Sequence, residues 1–292
     1  MGSNQSKKAH NFSFSGFVKL VRWPNLLIIS ITQYITAIFL VGDIFDWRFY
    51  ITDIRLFILS LSTILIAAAG YIINDYYDVK IDLVNKPNRV VVGNLLKRRP
   101  VMAAHTALNF LGIILGAFVS YKIMLINFLA ALLLWLYSNQ LKRWPFIGNL
   151  TISILTGLSL IVVGVYYQQN EHLIYVYALF AFSISLIREI IKDMEDVKGD
   201  EVFGCKTLPI IWGIRRTKFF IYILSVLFAL SLFYLTGRLD NPILTKYFIL
   251  LIIPILYFIY ALIRADTKKQ YTFLSAYCKF IMLSGILSMT FF

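Results

Sequence analysis

Residues 56–82 read LFILSLSTILIAAAGYIINDYYDVKID, and the change of character at Asn74 decides the fold. The run 56–73 is apolar for long enough to cross the hydrocarbon of a bilayer as a helix, which takes about 17–25 residues. Immediately beyond it stand Asn74, Asp75, Asp78 and Asp82. If the helix continues, Asn74, Asp78 and Asp82 recur every four residues and share one face, with Asp75 beside them. Three carboxylates and an amide crowded at a membrane surface repel one another and lose hydration. A cation relieves both costs, and an all-oxygen donor set suits Mg2+ or Ca2+. A second acidic stretch, Asp193-Met194-Glu195-Asp196-Val197-Lys198-Gly199-Asp200, follows another apolar run. Two such clusters facing each other would make a metal–diphosphate site.

Composition places the chain in a membrane. Of its 292 residues, 59% are hydrophobic and 15% charged, with a mean hydropathy of +0.75; a soluble domain carries about a quarter charged residues. One lipid-embedded domain over residues 16–292 is expected, preceded by a mobile polar tail at 1–15. The first six residues, Met1 to Ser6, fit an N-myristoylation pattern, but the pattern is short and a chain with many spans gains little from an acyl anchor. No cleavable signal peptide is read there. Cys205 and Cys278 offer no disulfide framework or thiolate metal site. His10, His105 and His172 are scattered, which excludes a histidine-rich metal or haem centre.

Nine apolar runs qualify as spans, at 24–42, 55–75, 101–120, 123–139, 147–168, 172–192, 219–236, 246–264 and 273–291. The expected fold is therefore an all-α membrane protein, with nine transmembrane helices in a single bundle. Only Tyr121 and Lys122 separate the third and fourth runs, so a tight helical hairpin is expected there. Gly112 and Gly116 are spaced for close helix packing, and Pro254 falls inside the eighth run, where a kink is tolerated.

The formal charge of +13 first raises nucleic acid, but its distribution answers that. With the N-terminus in the cytoplasm, 21 of the 28 lysines and arginines fall on the cytoplasmic side and five on the other, with Arg188 and Lys279 inside spans. This is the positive-inside bias, and it needs no nucleic-acid partner. The same topology puts both acidic stretches at cytoplasmic span ends, an even number of spans apart. Nine of the 15 acidic residues gather in these two places, which random surface solvation does not produce.

Carboxylates in two clusters can hold divalent ions that bridge the oxygens of a diphosphate. Lys80, Lys86, Arg89, Lys142, Arg143, Lys192 and Lys198 are the nearby cations that could neutralise the remainder. A diphosphate held at the cytoplasmic end would send its organic tail into an apolar, aromatic interior, which describes a prenyl diphosphate. Loss of diphosphate leaves an allylic cation that aromatic faces stabilise. Tyr76, Tyr77, Trp135, Tyr137, Tyr166 and Tyr167 are candidates for that role.

These residues carry a resemblance that runs from about Arg22 to Lys279. Asn74, Asp78 and Asp82 match the Asn-x3-Asp-x3-Asp motif of the UbiA-type intramembrane prenyltransferases, and Asp196 with Asp200 match their Asp-x3-Asp motif. Arg22-Trp23-Pro24-Asn25, Tyr137-Ser138, Leu141-Lys142 and Gly148-Asn149 also match. The resemblance implies a nine-helix fold with the active site toward the cytoplasm. It implies that Asn74, Asp75, Asp78, Asp82, Asp193, Asp196 and Asp200 bind Mg2+-diphosphate, with Asn74, Asp78, Asp82, Asp196 and Asp200 as the catalytic set. Arg89 and Lys142 would contact the phosphates, while Asn25 and Tyr137 would line the substrate cavity.

The stretch from Arg188 to Asp200, followed by Gly204 to Pro209, looks most similar to the digeranylgeranylglyceryl phosphate synthase branch. That branch transfers a geranylgeranyl group to the hydroxyl of a prenylated glycerol phosphate. One departure is Val90-Val91-Val92 between Arg89 and Gly93, where the family usually ends Arg-Pro-Ile-Pro-Ser-Gly; an aromatic acceptor, such as a quinone precursor, stays open. The plainer readings are a solvated helix end for the acids, topology signals for the cations, a helix cap for Asn25 and packing for the aromatics. An ion-coupled transporter would place its acids near the midplane on broken helices rather than at span ends. A scaffold gives the two acid patches no purpose.

Overall fold

The computed structural model describes residues 14–236 and 241–292; the side chains of Arg89, Leu235 and Thr236 are not described. The expected tail lies outside the described residues up to residue 13, as does Arg238. In chain order the helices are α1 (Phe14–Leu20), α2 (Trp23–Ile35, continued by a π-helical turn Thr36–Val41), α3 (Trp47–Thr52), α4 (Ile54–Asn85), α5 (Arg98–Val119), α6 (Tyr121–Asn139), α7 (Ile147–Tyr167), α8 (Glu171–Val202), α9 (Leu208–Ile211), α10 (Gly213–Thr236), α11 (Pro242–Ile263) and α12 (Lys268–Ser288). Among the described residues there is no β-strand, and nine helices are long and apolar enough to cross a membrane. The chain forms two compact units. One joins the segment up to Ile31 with Ile54–Leu141, and the other joins Thr32–Asp53 with Lys142–Phe292.

In the first unit α4 runs for 32 residues, about 48 Å against a hydrocarbon thickness of about 30 Å. Its apolar run ends near Ile73, yet nothing in the next twelve residues breaks a helix. Pro87 then does, because a proline disfavours helical backbone in the residue before it, and a 3-10 turn Pro87–Arg89 follows. The acidic face of α4 therefore projects beyond the apolar run as a rigid extension.

Three helices of this unit close on one another through small and polar residues. A Cβ added at Gly112 would come within 2.8 Å of Ile66 Cδ1 and 3.1 Å of the Ser62 carbonyl oxygen. Asn127, buried on α6, donates to Ser62 Oγ on α4 and to the Gly112 carbonyl on α5, both at 3.1 Å. The spacing of Gly112 and Gly116 is thus used for close packing, as lipid-embedded helices require. Gly112→Val should cost about 1–3 kcal/mol by overpacking, read as a lower melting temperature in detergent; an unchanged melting temperature would show that α4 and α5 are not held this closely. The α5–α6 joint is tighter than the sequence implied. Ser120 alone is non-helical, its hydroxyl accepting from the Ile123 N–H at 3.2 Å, and Tyr121 and Lys122 already belong to α6.

Val91 and Val92, the departure from the family pattern, have a packing role. With Leu20, Val21, Leu26, Ala68, Ile72, Leu96 and Val101 they form one buried cluster beneath the acidic end of α4. Exposed on their loop they would forfeit about 1.5–3 kcal/mol each.

In the second unit α7 and α8 pair, and α12 packs along α8. The Tyr177 hydroxyl and Ser288 Oγ lie 2.8 Å apart across the α8–α12 contact. Helix α8, again 32 residues, ends at Gly204, whose φ of 71° is the left-handed conformation that terminates helices. Helix α11 continues through Pro254. Cys205 and Cys278 are both buried free thiols.

Candidate active site

On α4, Asn74, Asp75, Asp78 and Asp82 are all half-buried. Asp75 projects about 100° around the helix from Asn74 and meets Arg22. Arg22 Nη2 donates to Asp75 Oδ1 at 2.6 Å, and the guanidinium stacks 5.0 Å from the Tyr71 ring centroid. Burial works against the charge of Arg22, but Asp75, Tyr71 and Asp82 together outweigh it, and the pKa is raised above the ordinary arginine value. The residue reaches this position through a left-handed φ of 53° that breaks the chain between α1 and α2. Asn25 lies within the first turn of α2, its N–H donating to the Arg22 carbonyl at 2.9 Å. Arg98 covers the ring of Tyr76 at 4.9 Å and donates to its carbonyl at 3.3 Å, so one candidate aromatic face already holds a cation. Tyr137 is half-buried near the end of α6. The side chain of Arg89 lies outside the described residues.

On α8, Glu189, Asp193, Asp196 and Asp200 recur at i, i+4, i+7 and i+11, which puts them along one helix face. Their surroundings separate their roles. Glu189 accepts from Arg188 Nη1 at 2.8 Å and from Lys192 Nζ at 2.7 Å, so both oxygens are engaged by cations and it serves structure. Asp193 Oδ2 accepts from Nδ2 of the buried Asn149 at 2.8 Å. Lys268 Nζ, at the start of α12, lies 3.8 Å from Asp196 Oδ1. Lys142 sits half-buried in a 3-10 turn, Leu141–Arg143. The Lys206 N–H donates to the Arg143 carbonyl at 2.8 Å, tying the Lys142 loop to the segment that follows Asp200.

Sequence reasoning had counted Lys268 only toward topology, and had quoted Arg22 and Asn149 as matching positions without a role in the site. The local pattern around Lys268 carries no signal of its contact. Tyr166 and Tyr167 both donate to Asp53 Oδ2, at 3.3 and 2.9 Å. They lie at the opposite end of α7 from Asn149, about 26 Å away, and so stand apart from the Asp193 end of this unit.

The donor set fits Mg2+ in one particular way. Among the described residues no three His, Cys, Asp or Glu side chains group closely enough to cage a metal by themselves. Mg2+ is commonly held by one or two carboxylates, several waters and substrate phosphate oxygens. Half-buried aspartates on a projecting helix face, without thiolate or imidazole partners, match that mode and not a closed structural site.

A match to the UbiA prenyltransferase family spans residues 30–284. The chain belongs to that family. It is 30% identical over 278 residues to the digeranylgeranylglyceryl phosphate synthase of Methanosphaera stadtmanae, covering 93% of this chain and 97% of that protein. It is 31% identical to the synthase of the same name from Methanobrevibacter smithii, covering 93% and 95%. A solved digeranylgeranylglyceryl phosphate synthase structure superposes with a TM-score of 0.69 at 28% identity, covering 94% and 96% of the two chains. A UbiA homologue from Archaeoglobus fulgidus, solved with GPP and Mg2+, shares the fold at a TM-score of 0.65 and 16% identity, covering 94% and 99%. With nine apolar helices among its described residues, this UbiA-family chain is an integral, multi-pass, all-α membrane protein and a prenyltransferase.

Proposed function

We propose that this prenyltransferase moves a geranylgeranyl group from its diphosphate to the hydroxyl of geranylgeranylglyceryl phosphate. The observation that carries the reading is the pair of 32-residue helices whose far ends bear the acidic motifs, in a chain about 30% identical to synthases named for that product. Asn74, Asp78 and Asp82 on α4, and Asp193, Asp196 and Asp200 on α8, are assigned to the Mg2+-diphosphate. Asp75 is assigned there too, through whatever Arg22 leaves to it. Mg2+, when bound, neutralises the diphosphate and makes it a better leaving group. Arg89 and Lys142 are assigned to the phosphates, and Asn25 and Tyr137 to the substrate cavity. The acceptor oxygen bonds to C1 of the prenyl chain as the C1–O bond to diphosphate breaks; the diphosphate leaves with the electron pair and the hydroxyl proton passes to solvent.

Purified protein offered geranylgeranyl diphosphate, Mg2+ and a panel of prenylated glycerol phosphates and aromatic acids should form the doubly prenylated glycerol phosphate, identified by its mass. Product from an aromatic acceptor alone would overturn the assignment. The acid-bearing helix ends are further assigned to the cytoplasmic side, by the positive-inside distribution. A cysteine placed at Lys198 should then react with a membrane-impermeant reagent only when the cytoplasmic face is open to it.

A further inference from the structure

We propose that Lys268 is a phosphate-binding residue of the transfer site, which rests on Asp196 until a phosphoanion arrives. This builds on the assignment of Asp196 to the Mg2+-diphosphate. Lys268 comes from the corner between α11 and α12, far along the chain from every motif residue. Its ammonium is 3.8 Å from Asp196 Oδ1, within reach of attraction but beyond a hydrogen bond. The contact with this oxygen is therefore electrostatic.

The corner that presents Lys268 is built firmly. Gln270 Oε1 accepts from the backbone N–H groups of Asp266 and Thr267, both at 2.9 Å. The buried Tyr271 donates through its hydroxyl to the Ala265 carbonyl at 2.9 Å. Asp266, the acid nearest in sequence, is bound by Lys218 at 3.0 Å, so the local carboxylate already has its lysine. Lys268 instead leans toward α8. Its side chain is 45% exposed while that of Asp196 is 21% exposed, so a fixed backbone carries the ammonium on a flexible four-carbon stem. Such a lysine is a mobile point charge, suited to following a phosphate. Mg2+ held by Asp196 would offset the attraction between that carboxylate and the ammonium. A phosphate oxygen brought to the same motif is the anion it meets next.

The test compares Lys268→Met, Lys268→Arg and, as a control on the same corner, Lys269→Met. Binding is read without turnover, from thermal stabilisation of the purified protein by Mg2+ alone, and by inorganic diphosphate or glycerol phosphate at saturating Mg2+. Lys268→Met should bind Mg2+ about three- to fivefold more tightly, because an exposed ion pair no longer competes. It should bind one of the two phosphoanions about tenfold more weakly, the loss of one charge-assisted hydrogen bond. Weakened diphosphate would place Lys268 on the donor and weakened glycerol phosphate on the acceptor, with KM rising for the corresponding substrate. Lys268→Arg should recover most of the loss, and Lys269→Met should behave as the parent. Unchanged affinities in Lys268→Met, or Mg2+ and phosphoanion affinities falling together, would overturn the proposal. Asp196→Asn separates this from failure of the site itself: retained Mg2+ stabilisation there would remove Asp196 from the metal site, whereas its loss beside an inert Lys268→Met would remove only Lys268.

Discussion

Asp78→Asn and Asp196→Asn should each leave a folded protein whose turnover falls about a thousandfold. A carboxylate lost from the Mg2+-diphosphate removes transition-state stabilisation of about 4 kcal/mol, taken from the several kcal/mol that a metal contributes to a departing phosphate. Asparagine keeps the shape and one oxygen but not the charge, so packing on α4 and α8 is spared. The check is release of inorganic diphosphate from geranylgeranyl diphosphate across a Mg2+ titration. Chelating the metal should silence the parent enzyme, and added Mg2+ should restore it. Near-parental release by either variant across that titration would remove its residue from the assigned site.

Asn149→Ala should raise the Mg2+ needed for half-maximal rate by about 10–100-fold, the usual cost of removing a partner that orients a metal-binding carboxylate. Asn149 is 6% exposed and gives Asp193 a hydrogen bond of 2.8 Å, so its loss leaves a partly buried carboxylate badly solvated. Stability should fall as well, by about 1–3 kcal/mol, while saturating Mg2+ recovers much of the rate. The two residues should act as a unit: on an Asp193→Asn background, Asn149→Ala should add little. Fully additive effects on Mg2+ dependence would show that the hydrogen bond is incidental to the metal.

The spans could be read along the chain because crossing hydrocarbon needs a run of apolar residues, and such a run is a local property. The limits of α4 and α8 could not, since an apolar run marks where lipid ends and not where the helix does. Pro87 and Gly204 are the true stops, and they stand well beyond the last apolar turn. Once a helix is granted through Asp82, the common face of Asn74, Asp78 and Asp82 follows from 3.6 residues per turn. Val91 and Val92 show the opposite case. They read as a lapse in a motif, and their burial with Leu20, Val21 and Ile72 depends on a corner of the fold that no local pattern describes.

The sequence by itself determined that the chain lives in a membrane, which runs are apolar enough to cross it, and which two helix ends carry the acids, because hydropathy and helical period are written residue by residue. Only the tertiary structure decided which partners those acids meet. Arg22 and Asp75 are 53 residues apart and Asn149 and Asp193 are 44 apart, with Lys268 reaching Asp196 from yet another helix. Such contacts depend on how helices dock and where their side chains point, and those are set by packing between helices rather than by any stretch of chain alone.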